Sequence, residues 1–237
     1  MSTLINKLKQ VEKKAWIPET TEGDGSNLAS KFSGIPFLSK NESYPICQNC
    51  NKPMQLFVQL NLSELPQEFQ TSVGINKGLL QMFYCLSDDP ICEVECEAYF
   101  PFSKSTLLRI IEPTNDGRSD IDVSKFYPAM TIFSWNEIAD YPNIEEMNEM
   151  GLSFTDEEES ELYESLNPAS GDKLGGYPSW VQGVEYPNCP KCDEKMQLIF
   201  QIDSEINLPY MFGDSGCGHI TQCKEHKEVL AFGWACY

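Results

Sequence analysis

Histidine is nearly absent from this chain: His219 and His226 are the only two in 237 residues. That leaves little room for histidine acid–base chemistry, and if one of the two is a metal ligand the remaining candidate base is His219. No GxSxG elbow, phosphate loop or dinucleotide fingerprint occurs. Carboxylates are abundant, but no catalytic pair stands out. Positive charge is scarce too, with 17 Lys and Arg against 36 Asp and Glu, a formal charge of -19 and a pI near 4.4. Such a field repels a phosphate backbone, so nucleic acid is not the expected partner, whereas a basic protein would be drawn in. No run of 18 apolar residues exists, and the opening Met-Ser-Thr-Leu-Ile-Asn-Lys lacks the apolar region of a signal peptide. Neither membrane insertion nor secretion is indicated, and a cytoplasmic location is expected.

What the chain does hold is ten cysteines. A reducing compartment favours metal sites over disulfides for them. Two CxxC pairs, Cys47/Cys50 and Cys189/Cys192, run into strand-like sequence. A redox pair would instead open a helix, where the dipole lowers a thiol pKa.

These pairs belong to an internal repeat. Residues 173–203 match residues 31–61 at a constant offset of 142, with eleven of 31 positions identical. The shared unit is Lys-x-x-Gly-x-Pro, a loop, Tyr-Pro-x-CxxC and Met-Gln-Leu-x-x-Gln, which marks a duplication. The alternation after each CxxC predicts a strand with Met54, Leu56, Val58 and Leu60 on one face, and Met196, Leu198, Phe200 and Ile202 on the equivalent one. Gln55, Gln59, Gln197 and Gln201 would occupy the opposite face, either satisfying backbone groups or lining a cleft between the halves.

A knuckle leading into a strand needs a second ligand pair from a later hairpin to close a structural zinc site. In the second copy, aligning Gly216 with Gly78 after a four-residue shift sets Cys223 opposite Cys85, and Cys223-Lys-Glu-His226 forms a CxxH knuckle. The expected ligands are Cys189, Cys192, Cys223 and His226, with Cys217 and His219 as the competing pair. In the first copy they are Cys47, Cys50, Cys85 and either Cys92 or Cys96. Cys92 is preferred because it ends an Asp-Asp-Pro loop, whereas Cys96 lies in a segment, residues 94–100, that reads as strand. Two structural zinc ions are thus expected, with no open position for catalysis.

The fold class expected is mainly β with a few peripheral α-helices, two duplicated halves forming one compact domain, each with a zinc-ribbon-like knuckle site. Residues 1–18 read as a docking helix, from apolar spacing between Leu4 and Trp16 that Pro18 stops. Residues 31–111 form the first repeat half, 112–172 a connecting segment and 173–237 the second half. Strands are expected at 98–102 and 129–135, with a mixed helical stretch at 136–150. In the connection, Thr155 and Glu158 form a capping box that opens an acidic helix carrying Leu162, Tyr163 and Leu166.

The segments Lys173-Leu-Gly-Gly-Tyr-Pro178, Gln201-Ile-Asp203, Gly213-Asp-Ser-Gly216 and Trp234-Ala-Cys-Tyr237 resemble the YwqG-like bacterial proteins, a family of unknown function. That resemblance implies a mainly β architecture of two similar halves and no established activity. The Gly-Gly-x-Pro and CxxC-x-x-x-Met pattern is also similar to the programmed-cell-death-protein-two family, whose members are linked to escorting a ribosomal protein. The functional expectation is a non-enzymatic, zinc-stabilised protein-binding module that chaperones or neutralises a basic partner. The alternative is an enzyme using carboxylates and glutamines in a cleft between the halves.

Overall fold

The computed structural model describes residues 2–114, 116–118, 127–165 and 168–237. Its strands are β1 (Lys13–Glu22), β2 (Lys31–Phe32), β3 (Gln55–Asn61), β4 (Leu79–Tyr84), β5 (Thr106–Ile111), β6 (Met130–Asp140), β7 (Lys173–Gly175), β8 (Gln197–Asp203), β9 (Cys217–Gln222) and β10 (Leu230–Ala235). They form one sheet in the order β10-β9-β8-β7-β1-β6-β2-β3-β4-β5, with every neighbouring pair antiparallel. The two edges approach each other: the indole N–H of Trp234 on β10 donates to Tyr84 Oη at 3.0 Å, and the sheet is a nearly closed barrel. Among the described residues, five short helices flank it: α1 (Ser2–Val11), α2 (Gln67–Val73), α3 (Cys92–Glu95), α4 (Ile144–Glu149) and α5 (Asp156–Ser165).

The strand order is symmetric about the β1/β6 pair, with β2 and β7, β3 and β8, β4 and β9, and β5 and β10 in matching places. β1 precedes the first repeat yet bonds to β7 of the second, Ala15 opposite Gly175, while β6 precedes the second repeat yet bonds to β2 of the first, Lys31 opposite Thr131. Each half is therefore completed by the strand that leads into the other. A half on its own would expose an unpaired edge.

Two of the identical repeat positions are explained by this exchange. Lys31 Nζ meets Asp24 Oδ1 at 2.7 Å just beyond β1, and Lys173 Nζ meets Asp140 Oδ2 at 2.9 Å at the end of β6. Both ammonium groups are buried, so each needs its carboxylate. Gly34 and Gly176 follow, with φ of 77° and 73°; a Cβ at either would lie within 2.3 Å of the carboxylate oxygen of Asp24 or Asp140. Only glycine serves both needs.

Local expectations fail where tertiary pairing decides. The helix expected up to Trp16 ends at Val11, and Ala15 and Trp16 are buried on β1. Pro18 lies inside that strand, where β7 has already ended and a missing N–H is tolerated on the open side. The strand expected at 98–102 is a run of turns after α3, with positive φ at Glu97 and Phe102. The stretch 136–150 is not helical throughout: β6 runs to Asp140, and α4 starts only after Asn143 caps it by accepting from Glu146 N at 2.8 Å. The Thr155/Glu158 capping box forms at 3.1 and 3.2 Å, and Leu162 is buried, while Leu166 and the Tyr163 side chain lie outside the described residues.

The alternation expected along β3 and β8 is also broken. Each strand carries a bulge, at Phe57 and at Ile199, 142 residues apart. An extra residue reverses the facing beyond it. Met54 and Leu56 consequently pack around Cys47, Cys85 and Cys92, whereas Phe57, Val58 and Leu60 turn into the barrel core with Phe32, Phe200 and Phe232.

Candidate metal centres and adjoining cavities

Each CxxC loop turns through a left-handed residue, Asn51 or Asp193, and is closed by backbone bonds from Cys47 N to Lys52 O and from Cys189 N to Glu194 O, both 2.9 Å. The turn aims backbone N–H groups at sulfur: Asn49 N lies 3.4 Å from Cys47 Sγ and Lys191 N lies 3.4 Å from Cys189 Sγ. The second ligand pair comes from beyond the neighbouring strand, with Cys85 directly after the last residue of β4 and Cys223 directly after that of β9.

The structure gathers Cys47, Cys50, Cys85 and Cys92 into one cluster and Cys189, Cys192, Cys223 and His226 into another, with all ligand atoms of a cluster within 4.8 Å of one another. The separations Cys50–Cys85 and Cys47–Cys92 are 3.6 and 3.9 Å, and those of Cys192–Cys223 and Cys223 Sγ–His226 Nδ1 are both 3.6 Å. A tetrahedron with Zn–S bonds near 2.3 Å has S···S edges of about 3.8 Å. Disulfides would require about 2.05 Å. Both clusters are compatible with a metal ion.

Electrostatics agree with this. Burial works against ionisation at Cys50, but the Lys52 backbone N–H and the neighbouring thiols bring it down to about 7. Burial is likewise outweighed at Cys223 by the His226 backbone N–H and by Cys189, giving about 6. Cys85 and Cys92 are pushed up, chiefly by burial. Cys50 and Cys223 ionise more readily than a free thiol, whereas Cys85 and Cys92 need a cation beside them.

Cys92 reaches its cluster from the first turn of α3, not from a loop beside a strand, and Cys96 at the end of that turn is outside the cluster. Cys217 and His219 are in neither. Cys217 is buried with its thiol toward Ile202 O at 3.6 Å, and His219 packs at a tilt against Trp180 with ring centroids 4.9 Å apart.

Of the paired glutamines, Gln59 and Gln201 serve as loop clamps. Gln59 accepts from Phe37 N at 2.9 Å and donates to the Asn27 and Ala29 carbonyls at 3.0 Å; Gln201 accepts from Ser179 N at 2.8 Å and donates to the Ala169 and Gly171 carbonyls at 3.3 and 2.8 Å. Gln55 donates to Ser33 Oγ at 2.9 Å. Gln197 differs: its buried Nε2 has no partner, and it lines a cavity of about 730 Å³ together with Lys13, Glu146 and Tyr177. Glu146 accepts from Tyr186 Oη at 2.7 Å and Trp180 Nε1 at 3.3 Å, and burial raises its pKa. Lys13 sits 3.7 Å over the Tyr177 ring, and burial lowers its pKa. Nothing local in the sequence marks Glu146 among the other acidic residues of its helix. The lysine partners Asp24 and Asp140 were equally hidden, although the identity of Lys31 and Lys173 was a usable signal.

The family model described as Domain of unknown function (DUF1963) matches residues 30–232, which include both repeats and all eight cluster residues. Among curated proteins, the uncharacterized protein YpfL of Salmonella typhimurium is 42% identical over 38 residues. The matched stretch is 16% of this chain and 9% of that protein.

Proposed function

Because the chain belongs to the DUF1963 family, the YwqG-like family of unknown function, membership supplies no activity, and we propose from its own residues a non-enzymatic, zinc-stabilised module that binds a basic protein. Zinc at both clusters would be held by Cys47, Cys50, Cys85 and Cys92, and by Cys189, Cys192, Cys223 and His226. Four protein ligands close each site, so the metal acts as a staple between a knuckle and the following hairpin.

The observation that carries the binding reading is the surface of the first knuckle. Ile46, Leu86, Ile91 and Val94, each within two residues of a cluster cysteine, are 52, 37, 54 and 62% exposed. Asp88, Asp89, Glu95 and Glu97 are exposed among them. Apolar side chains gathered in water and set among carboxylates suit an amphipathic, basic partner segment. The second knuckle carries Asn188 and Lys224 in the places of Ile46 and Leu86, so this character belongs to the first alone. Capture of a stoichiometric basic protein from cell extract at low salt, its release at high salt and its loss on Ile91→Asp or Val94→Asp would support the reading. Unchanged capture by both variants, or no partner at all, would sink it.

A second reading, an enzyme, is favoured by the 730 Å³ cavity, where a carboxyl with raised pKa and an amine with lowered pKa face one space. Turnover of any small-molecule substrate that Glu146→Gln abolishes, with the fold intact, would establish it over the binder.

A further inference from the structure

The first half carries a built-in cation. Arg109 on β5 stands opposite Gln81 on β4; its Nε donates to Gln81 Oε1 at 2.9 Å, its Nη1 meets the Glu42 carboxylate, and its guanidinium lies 5.4 Å over the Phe83 ring. Gln81 is oriented for this role, since its Nε2 donates to both the Phe37 carbonyl and Gln59 Oε1 at 2.8 Å and leaves Oε1 free to accept from the arginine.

In the second half the same ladder position pairs His219 with Gly233. His219 takes over Gln81's part: its ring bonds the backbone of Ser179, the residue 142 positions after Phe37, and its Nε2 is buried with no partner. Burial holds the ring neutral, down to about 3. When one nitrogen of a neutral imidazole donates to a carbonyl, the other is an acceptor. Where Arg109 would have its counterpart there is instead a cavity of about 350 Å³, walled by Trp180, Tyr186 and Trp234, with Glu185 as the only charged lining residue among the described residues. Tyr186 matches Tyr44, and Glu185 lies one position past the counterpart of Glu42 on the same loop. A Cβ on Gly233 would come within 3.0 Å of the Tyr99 carbonyl, so no side chain from that position can fill the space easily.

We propose that this cavity is the open counterpart of Arg109's seat and receives the guanidinium of an arginine side chain supplied by a partner protein. The guanidinium chemistry stands on the cavity itself; its source in a protein rests on the binding reading above. A planar guanidinium can stack on the indole and phenol faces while its donors serve His219 Nε2 and Glu185, which a compact ammonium matches less well. An anionic ligand would meet Glu185 and no cation.

Titration of the intact, zinc-loaded protein with N-acetylarginine methylamide, followed by tryptophan fluorescence and calorimetry, tests this. Saturable binding is expected, at least roughly tenfold tighter than that of the neutral isostere N-acetylcitrulline methylamide, because hydrogen bonds to a charged group are the stronger ones. Glu185→Gln should weaken it by a similar factor. His219→Gln, which installs the first half's residue, should retain it, and His219→Leu should lose it. Equal affinity for the citrulline compound, absence of saturation, or full affinity in Glu185→Gln would overturn the proposal. Binding of free arginine but not of the capped form would refute a protein side chain as the source. Ile91→Asp, on the other surface, should leave capped-arginine binding unchanged, so the pocket and the partner reading can fail separately.

Discussion

Asp140→Ala is the substitution from which the interlocked halves have most to lose. The Asp140 side chain is 1% exposed and accepts four bonds: from Lys173 Nζ at 2.9 Å, Tyr177 N at 2.8 Å, Ala169 N at 2.8 Å and Tyr141 N at 3.1 Å. Deleting the carboxylate strands a buried ammonium and three N–H groups, and breaking such a buried pair costs about 3–5 kcal/mol. The equivalent carboxylate is less enclosed: Asp24 is 31% exposed, so water can replace part of what Lys31 loses. Asp24→Ala should therefore cost about 1–3 kcal/mol, as for a lost hydrogen bond to a charged group. For a domain of this size each kcal/mol lowers Tm by about 2–4 °C, so Asp140→Ala should lose roughly 10 °C and Asp24→Ala about half that. Lys173→Met should be milder than Asp140→Ala because the carboxylate keeps its three N–H donors. Denaturant and thermal unfolding of the metal-loaded variants measure all three. Equal losses at Asp24 and Asp140, or a loss below about 1 kcal/mol at Asp140, would refute the view that burial of this pair locks the halves together.

Elemental analysis should count two zinc ions per chain, and native mass measurement should show two zinc ions gained and the seven cluster thiol protons lost, which moves the formal charge from -19 to about -22. A count near zero in metal-replete protein would remove the zinc assignment. His226→Ala should lose the second ion and lower thermal stability, by less than the roughly 10–16 kcal/mol that zinc supplies to small finger peptides, while His219→Ala should keep both ions; the reverse would exchange the ligand assignment. The pH profile should carry two opposed contributions. Burial raises Asp172 from 3.8 to about 7, so its contribution is complete below pH 3.8 and is lost as pH rises to about 7. Burial depresses His219 from 6.5 to about 3, so its contribution is complete above pH 6.5 and is lost as pH falls toward 3. Urea midpoints across pH 3–8 should show Asp172→Asn gaining on the parent as pH rises, and His219→Gln gaining as pH falls. Curves parallel to the parent would contradict both.

The repeat and the grouping of eight side chains into two clusters were legible in the chain because both depend on short spacings: a knuckle is four residues long, and its partner pair follows one hairpin later. The four-residue slip that set Cys223 opposite Cys85 reappears in the register of β4 and β9, each pairing with its repeat strand, Asn61 opposite Leu79 and Asp203 opposite Cys217. The turn chemistry, the capping box at Thr155 and the mainly β class were legible for the same local reason. The exchange of β1 and β6 was not. Ala15 and Trp16 fit a helical apolar spacing and a strand equally well, and partners Gly175 and Leu174, about 160 residues away, chose the strand. Tertiary structure likewise placed the bulges that turn Leu56 toward a cluster and Val58 into the core, buried Glu146 while the acidic neighbours Glu145 and Glu149 stay exposed, and set Gly233 where the first half has Arg109. Each of these depends on which strand lies alongside and on what that neighbour leaves unfilled, and neither is a property of adjacent residues.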